Sequence, residues 1–183
     1  FVGEICRPVV FGNAAILHWA RRNVPNCPTP RAIASIDENV QPDEVAVVEG
    51  NRAAPIHTPG VVRADAGACA VEWLKQAIHA AQKGQVAGIV TCPLNKKGIQ
   101  LAGYAYTGHT EILQEMFGVS EVWMSLFADR MLIVHISTHH SRANALAFVQ
   151  KELIIRAIRA GHAALLQLGL SRQRIAVAGR NPH

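Results

Sequence analysis

Residues 86–111 read VAGIVTCPLNKKGIQLAGYAYTGHTE, and no other stretch restricts the fold as strongly. Residues 86–90 are continuously apolar rather than alternating, the pattern of a parallel strand buried on both faces. A Pro-Leu-Asn-Lys corner stops that strand, and Gly-His-Thr-Glu then stands just before an apolar-periodic helix. Polar side chains gathered at the carboxyl end of a parallel strand are expected of an α/β sheet. Comparable strand ends occur at Ser137, Thr138, His139 and His140 and at Asn181, Pro182 and His183. These clusters, rich in imidazole and hydroxyl groups, predict one site assembled from separate loops.

A chain of 183 residues suffices for one fair-sized core, and with 50% hydrophobic and 17% charged residues it is not a disordered tail. No segment approaches the roughly 20 continuous apolar residues that span a bilayer. The net charge of +5 suits an anionic ligand, but 18 basic against 13 acidic residues is a modest excess and a weak argument for nucleic acid, which is not expected as a partner. Cys6, Cys27, Cys69 and Cys92 form neither a CxxC pair nor a disulfide scaffold, so reduced thiols and a cytoplasmic location are expected. Phe1 has no methionine before it and His183 directly follows a strand-like run, so the chain is expected to be a piece of a longer polypeptide.

Residues 7–12 (RPVVFG) read as a strand closed by glycine, and Asn13 as the N-cap of a helix with Ile16, Leu17 and Ala20 inward. Proline and polar residues place 24–43 outside the main sheet or in a small excursion from it, with a brief extended piece at 32–36. Residues 45–50 (VAVVEG) form a further strand candidate. In 68–83, Val71, Leu74, Ala77, Ile78 and Ala81 recur at helical spacing, and Gly84 supplies the stop. A short helix over 110–117 carries Ile112, Leu113, Met116 and Phe117 and ends at Gly118. Strands at 122–127 and 131–137, separated by Ala-Asp-Arg, predict an antiparallel pair. A long helix over 144–159, broken or kinked at Gly161, and a final strand at 174–178 complete the reading. The expected fold is α/β, a mixed and mostly parallel sheet with helices on both faces.

The Gly-His-Thr-Glu corner can hold a substrate hydroxyl or phosphate oxygen through the His109 imidazole, the Thr110 hydroxyl and the N–H groups of a helix start. The competing reading is a plain helix cap, with Thr110 capping and His109 exposed. The Lys96 ammonium can neutralise a phosphate or carboxylate, with Asn95 adding a directional hydrogen bond, or it is a solvated loop lysine beside Lys97. If a strand continues to Ser137, residues 135, 137 and 139 share one side, so His139 is a better ligand than His140. His139 and His183 are candidate ligands of Zn²⁺ or a related ion, although two ligands do not complete a site. Cys92 lacks the glycine elbow and third partner of a nucleophile and reads as a buried thiol.

TCPLNKKGIQLAGYAYTGHTE, followed by ISTH and by AVAGRNPH, resembles the family of 4-hydroxythreonine-4-phosphate dehydrogenase, and RPVVFGN and GACAVEWLKQAIHAAQKGQVAGIVT resemble its earlier segments. The resemblance runs through nearly the whole chain in order. It implies an isocitrate-dehydrogenase-like fold and a cytoplasmic homodimer with a shared active site. It also implies NAD-dependent, metal-assisted oxidation of the secondary hydroxyl of 4-phosphooxy-L-threonine, then decarboxylation to 3-amino-2-oxopropyl phosphate.

Carried over residue by residue, His109 and Thr110 contact substrate, His109 and Lys96 are the catalytic candidates, and His139 and His183 hold a divalent metal. That metal is zinc, or alternatively magnesium or cobalt. Residues 1–183 then represent mainly the substrate- and metal-binding part. The family's Gly-Asp-Pro-x-Gly-Ile-Gly-Pro-Glu motif, the third metal histidine and the NAD site are expected outside the chain, which alone is expected to be inactive. His140, Ser141 and Arg142 replace the Leu-Pro-Leu run of the vitamin B6 enzymes. That departure leaves open 4-phospho-threonate, 4-phospho-erythronate or a carboxylated cis-dihydrodiol as substrate. A truncated, non-catalytic ligand-binding protein and a phosphate-acyltransferase-like protein are the other readings.

Overall fold

The computed structural model describes residues 5–50, 58–128, 131–137, 141–171 and 173–179. They fall into two compact units, residues 1–120 and 121–183. The first contains β1 (Val9–Gly12), α1 (Ala14–Arg21), β2 (Thr29–Ile33), β3 (Glu44–Glu49), α2 (Ala64–Gln82), α3 (Lys96–Leu101) and α4 (His109–Phe117). The second contains β4 (Ser125–Ala128), β5 (Met131–Val134), α5 (Arg142–Ala145), a 3-10 turn (Leu146–Phe148) and α6 (Lys151–Gln167).

The strands of the first unit form a parallel sheet in the order β1-β3-β2, flanked by α1 against β2 and α2 against β1. This is the expected α/β architecture; β4 and β5 form a separate antiparallel pair within the second unit. Ala46 and Val47 of the central strand β3 are fully buried. Asn13 caps α1 as read, its Oδ1 accepting from the Ile16 N–H at 3.0 Å. Glu49, at the end of β3, accepts from the Ala14 N–H at 2.8 Å and so ties the strand end to the helix start.

A helical core sits beside the sheet. Val71, Leu74 and Ile78 of α2 meet Ile99 of α3 and Ile112 of α4 in one buried cluster. Burying each such side chain contributes about 1.5–3 kcal/mol. The contact between α2 and α3 depends on glycine. A Cβ on Gly67 would lie 2.2 Å from both the carbonyl carbon and the oxygen of Gly98.

Several expectations are corrected. The segment 24–43 does contribute to the sheet, because Pro30 lies in an edge strand. Thr29 donates its N–H to Asp43 O at 2.8 Å, and strand alternation turns the donor that Pro30 lacks toward the open edge. Residues 86–90 are not a strand among the described residues, and Val90 is 96% exposed. Only Ile89 and, further on, Leu94 turn into the helical core. Apolarity states a preference for burial without providing the ladder partners that burial needs. Cys92, on the same extended segment, is therefore exposed rather than a buried thiol.

In the second unit, β4 and β5 pair antiparallel from Ser125 opposite Val134 to Ala128 opposite Met131, as expected. The strand ends at Val134, so the argument that residues 135, 137 and 139 share a side loses its basis. The predicted helix over 144–159 is interrupted. A 3-10 turn closes at Val149 (ψ 74°), and Gln150, in extended conformation, starts α6. Gly161 does not break this helix, which runs on to Gln167. It lies buried where α6 passes β5, with Val134 Cγ2 at 3.5 Å from the position of a Cβ. The expected strand at 174–178 does not form among the described residues, and Ile175 and Val177 are exposed.

Candidate functional site

The corner between α3 and α4 is built by two caps of different kinds. Asn95 accepts from the Gly98 N–H at 2.9 Å through its Oδ1 and so starts α3. Lys96 is then the first helical residue, with an exposed side chain. Downstream, Tyr104 and Tyr106 stack with centroids 6.1 Å apart, and Lys75 of α2 places its Nζ 5.3 Å from the Tyr104 ring centroid. The Tyr106 hydroxyl donates to Glu115 Oε1 at 3.1 Å. Burial and the Glu115 carboxylate both push the Tyr106 phenol above its ordinary range. These contacts tie the loop between α3 and α4 to α2 and α4.

The start of α4 differs from the simple cap considered above. Gly108, not Thr110, is the N-cap, and it has no side chain to offer the first-turn N–H groups. His109 is half-buried and Thr110 is exposed. Glu111, the third helical residue, accepts a hydrogen bond from the Thr107 hydroxyl. That hydroxyl is the main cause of a lowered Glu111 pKa, and the Lys96 ammonium and the N–H groups of Glu111 and Gly108 act in the same sense against partial desolvation. Lys96 and the Gly-His-Thr-Glu corner, separate in the sequence reading, therefore share one electrostatic environment.

Glu111 and Thr107 were not among the predicted site residues. The signal that could have found them is the spacing of Gly108 and Glu111, that of an N-cap and its third helical residue, where glutamate reaches back to the loop.

His139 and His183 lie outside the described residues, as do Thr138, His140, Asn181 and Pro182. Among the described residues no group of three His, Cys, Asp or Glu side chains could hold a metal ion. His135 lies just beyond β5, and its Nε2 is buried without a hydrogen-bond partner among the described residues. A shallow cleft of about 280 Å³ lies elsewhere, lined by His18, Arg21, Arg22, Asn26 and Cys27 at the end of α1. Basic side chains there complement the carbonyl end of the helix dipole, which accounts for them without a ligand. No helix among the described residues is long and apolar enough to cross a membrane.

An α/β chain with an imidazole and a hydroxyl at the start of α4, and the Lys96 ammonium at the start of α3 acting on Glu111, has the makings of a site for an oxyanion-bearing substrate. The chain belongs to the pyridoxal phosphate biosynthetic protein PdxA family, whose model matches residues 4–183. It is 35% identical over 176 residues to a 4-hydroxythreonine-4-phosphate dehydrogenase of Beijerinckia indica, covering 96% of this chain and 52% of the relative. It is also 35% identical over 179 residues to a D-threonate 4-phosphate dehydrogenase of Bordetella bronchiseptica, covering 97% and 51%. A crystal structure of a 4-hydroxythreonine-4-phosphate dehydrogenase from Burkholderia phymatum superposes with a TM-score of 0.87 at 34% identity, over 97% of this chain and 54% of that one. The chain spans about half the length of these relatives, and 36–54% of others.

Proposed function

We propose that this chain is the substrate-binding part of a cytoplasmic, homodimeric, NAD-dependent dehydrogenase that oxidises the secondary hydroxyl of a 4-phosphorylated hydroxy acid. The observation that carries the reading is the Lys96 to Glu111 corner in a chain whose family match runs through residues 4–183. In this reading the His109 imidazole and Thr110 hydroxyl hold substrate oxygens at the start of α4, where backbone N–H groups favour negative charge. Lys96 supplies the nearby cation, and Lys96 or His109 receives the proton of the reacting hydroxyl. NAD would accept the hydride, leaving a ketone β to the carboxylate, which then departs as CO₂.

His139 and His183 are proposed as metal ligands on the family resemblance alone, and no step here is routed through a metal. A bound divalent ion would polarise the hydroxyl oxygen. Metal content of the purified chain, measured with and without His139→Ala and His183→Ala, tests that assignment.

Two substrates compete. 4-Phosphooxy-L-threonine carries an ammonium where 4-phospho-D-threonate carries a hydroxyl. D-threonate 4-phosphate dehydrogenases of Cupriavidus necator and Pectobacterium atrosepticum are 31% and 37% identical over 179 and 125 residues, and the 4-hydroxythreonine-4-phosphate dehydrogenase of Beijerinckia indica 35% over 176, so the identities support both substrates. The test is binding of both compounds and of 4-phospho-D-erythronate to the 183-residue chain, with turnover followed as NADH absorbance. Binding without turnover is expected of the chain alone. If none of the three phosphorylated acids binds, the proposal fails.

A further inference from the structure

We propose that Glu111 is a positioning residue, which closes residues 107–111 through Thr107 and Gly108 and holds His109 and Thr110 in the arrangement that meets substrate. The inference rests on the substrate role proposed for His109 and Thr110.

A helix N-terminus needs its first-turn donors satisfied and its entry fixed, and usually the N-cap side chain does both. Gly108 can do neither through a side chain, and none caps α4. Its backbone is fully extended (φ 176°, ψ −167°), a conformation open to any residue, so glycine is not required there by its torsion angles. What Gly108 leaves out, Glu111 supplies from the helix side. Its Oε1 accepts from the Thr107 hydroxyl, and its Oε2 lies 3.6 Å from the position a Gly108 Cβ would take. The carboxylate thus lies over the residue that turns the chain into the helix. Because the fixing group sits at the third helical position, no capping side chain occupies the start of α4, where an anionic ligand would bind.

Glu111 is also where the two halves of the site communicate. The Lys96 ammonium adds to the stabilisation of the Glu111 carboxylate, after the Thr107 hydroxyl. A carboxylate beside an anion site would repel substrate if it were unpartnered. Thr107, the Gly108 N–H and Lys96 offset its charge, so it acts through its neighbours and not by touching substrate.

The test is titration of 4-phospho-D-threonate into the 183-residue chain, read from amide NMR signals of residues 96 and 107–111, for the wild type, Glu111→Ala, Glu111→Gln and His109→Ala. Loss of one charge-assisted hydrogen-bonding group is expected to weaken binding about tenfold in Glu111→Ala. Glu111→Gln retains the acceptor for Thr107 and is expected to recover most of that loss. Without ligand, the Gly108–Thr110 signals of Glu111→Ala are expected to broaden or split, while the Ile112 signal stays in place.

A merely structural cap would lower the melting temperature and leave the affinity unchanged. That result, or unperturbed 108–110 signals in Glu111→Ala, overturns the inference. His109→Ala separates the two levels. If it weakens binding and Glu111→Ala does not, only the positioning role fails; if it has no effect, the substrate role of the corner fails as well.

Discussion

Two glycines inside helices, Gly67 of α2 and Gly161 of α6, show how differently the two units are held together. At Gly67 the backbones of α2 and α3 touch, and a side-chain carbon would overlap the Gly98 carbonyl at 2.2 Å. At Gly161 the same carbon would meet only the tip of Val134, at an ordinary 3.5 Å. The first unit is built around a closed helical core from which the Lys96 to Glu111 corner projects. In the second, Leu126, Phe127, Met131 and Ile133 of the β4–β5 pair are all exposed. Apolar sequence alone therefore does not make a core; close approach of elements does.

Substitutions at these positions break or sharpen the contrast. Gly67→Ala is expected to have the largest effect, a loss of about 3 kcal/mol in urea unfolding, because backbone atoms cannot move aside as a flexible side chain can. A loss below about 1 kcal/mol would mean that α2 and α3 separate freely. Next, Ile112→Ala should cost about 2–4 kcal/mol by cavity formation, whereas Phe127→Ala on the exposed hairpin should change stability by under about 0.5 kcal/mol. Equal losses at the two sites would erase the difference between the units.

Asn95→Ala removes the cap of α3 and is expected to cost about 1 kcal/mol, with Asn95→Asp restoring most of it. Gly161→Ala should have the opposite sign, stabilising by about 0.5–1 kcal/mol through helix propensity, since its torsion angles are helical and the space is available. Destabilisation there would show α6 to be packed as tightly as α2.

The smallest expected effect is on pH dependence. The Glu111 pKa is lowered in the folded chain, so its contribution is present above the ordinary carboxylate range and is lost as pH falls through the folded value. Melting temperatures of the wild type and Glu111→Gln should differ near neutrality and converge in acid. Thr107→Val should move the Glu111 carboxyl titration upward, as seen by carboxyl NMR, because the Thr107 hydroxyl is its main stabilising partner.

What was legible in the sequence follows the same division. Helix α2, with Val71, Leu74 and Ile78 at helical spacing, and the stop at Gly84 (φ 69°) are local signals and were read directly. So were the Asn13 cap, the Gly118 stop of α4 and the antiparallel pairing of β4 with β5. The failures concern partners. The run at 86–90 was apolar enough for a buried strand, but its sequence could not state whether neighbouring strands pair with it. Pro30 argued against a strand until its edge position was known.

Within the candidate site, His109, Thr110 and Lys96 stand out in the sequence by residue type and position. Glu111 was passed over because its role arises from Thr107, Gly108 and Lys96 together. His139 and His183, read from the family resemblance, fall outside the described residues.

The most direct test of the account is to map the perturbation of backbone amide signals when 4-phospho-D-threonate is added to the 183-residue chain. The account predicts shifts concentrated at Lys96, Gly108, His109 and Thr110, abolished by His109→Ala. Shifts confined to His18, Arg21 and Arg22, or a spectrum unchanged at millimolar ligand, would contradict it.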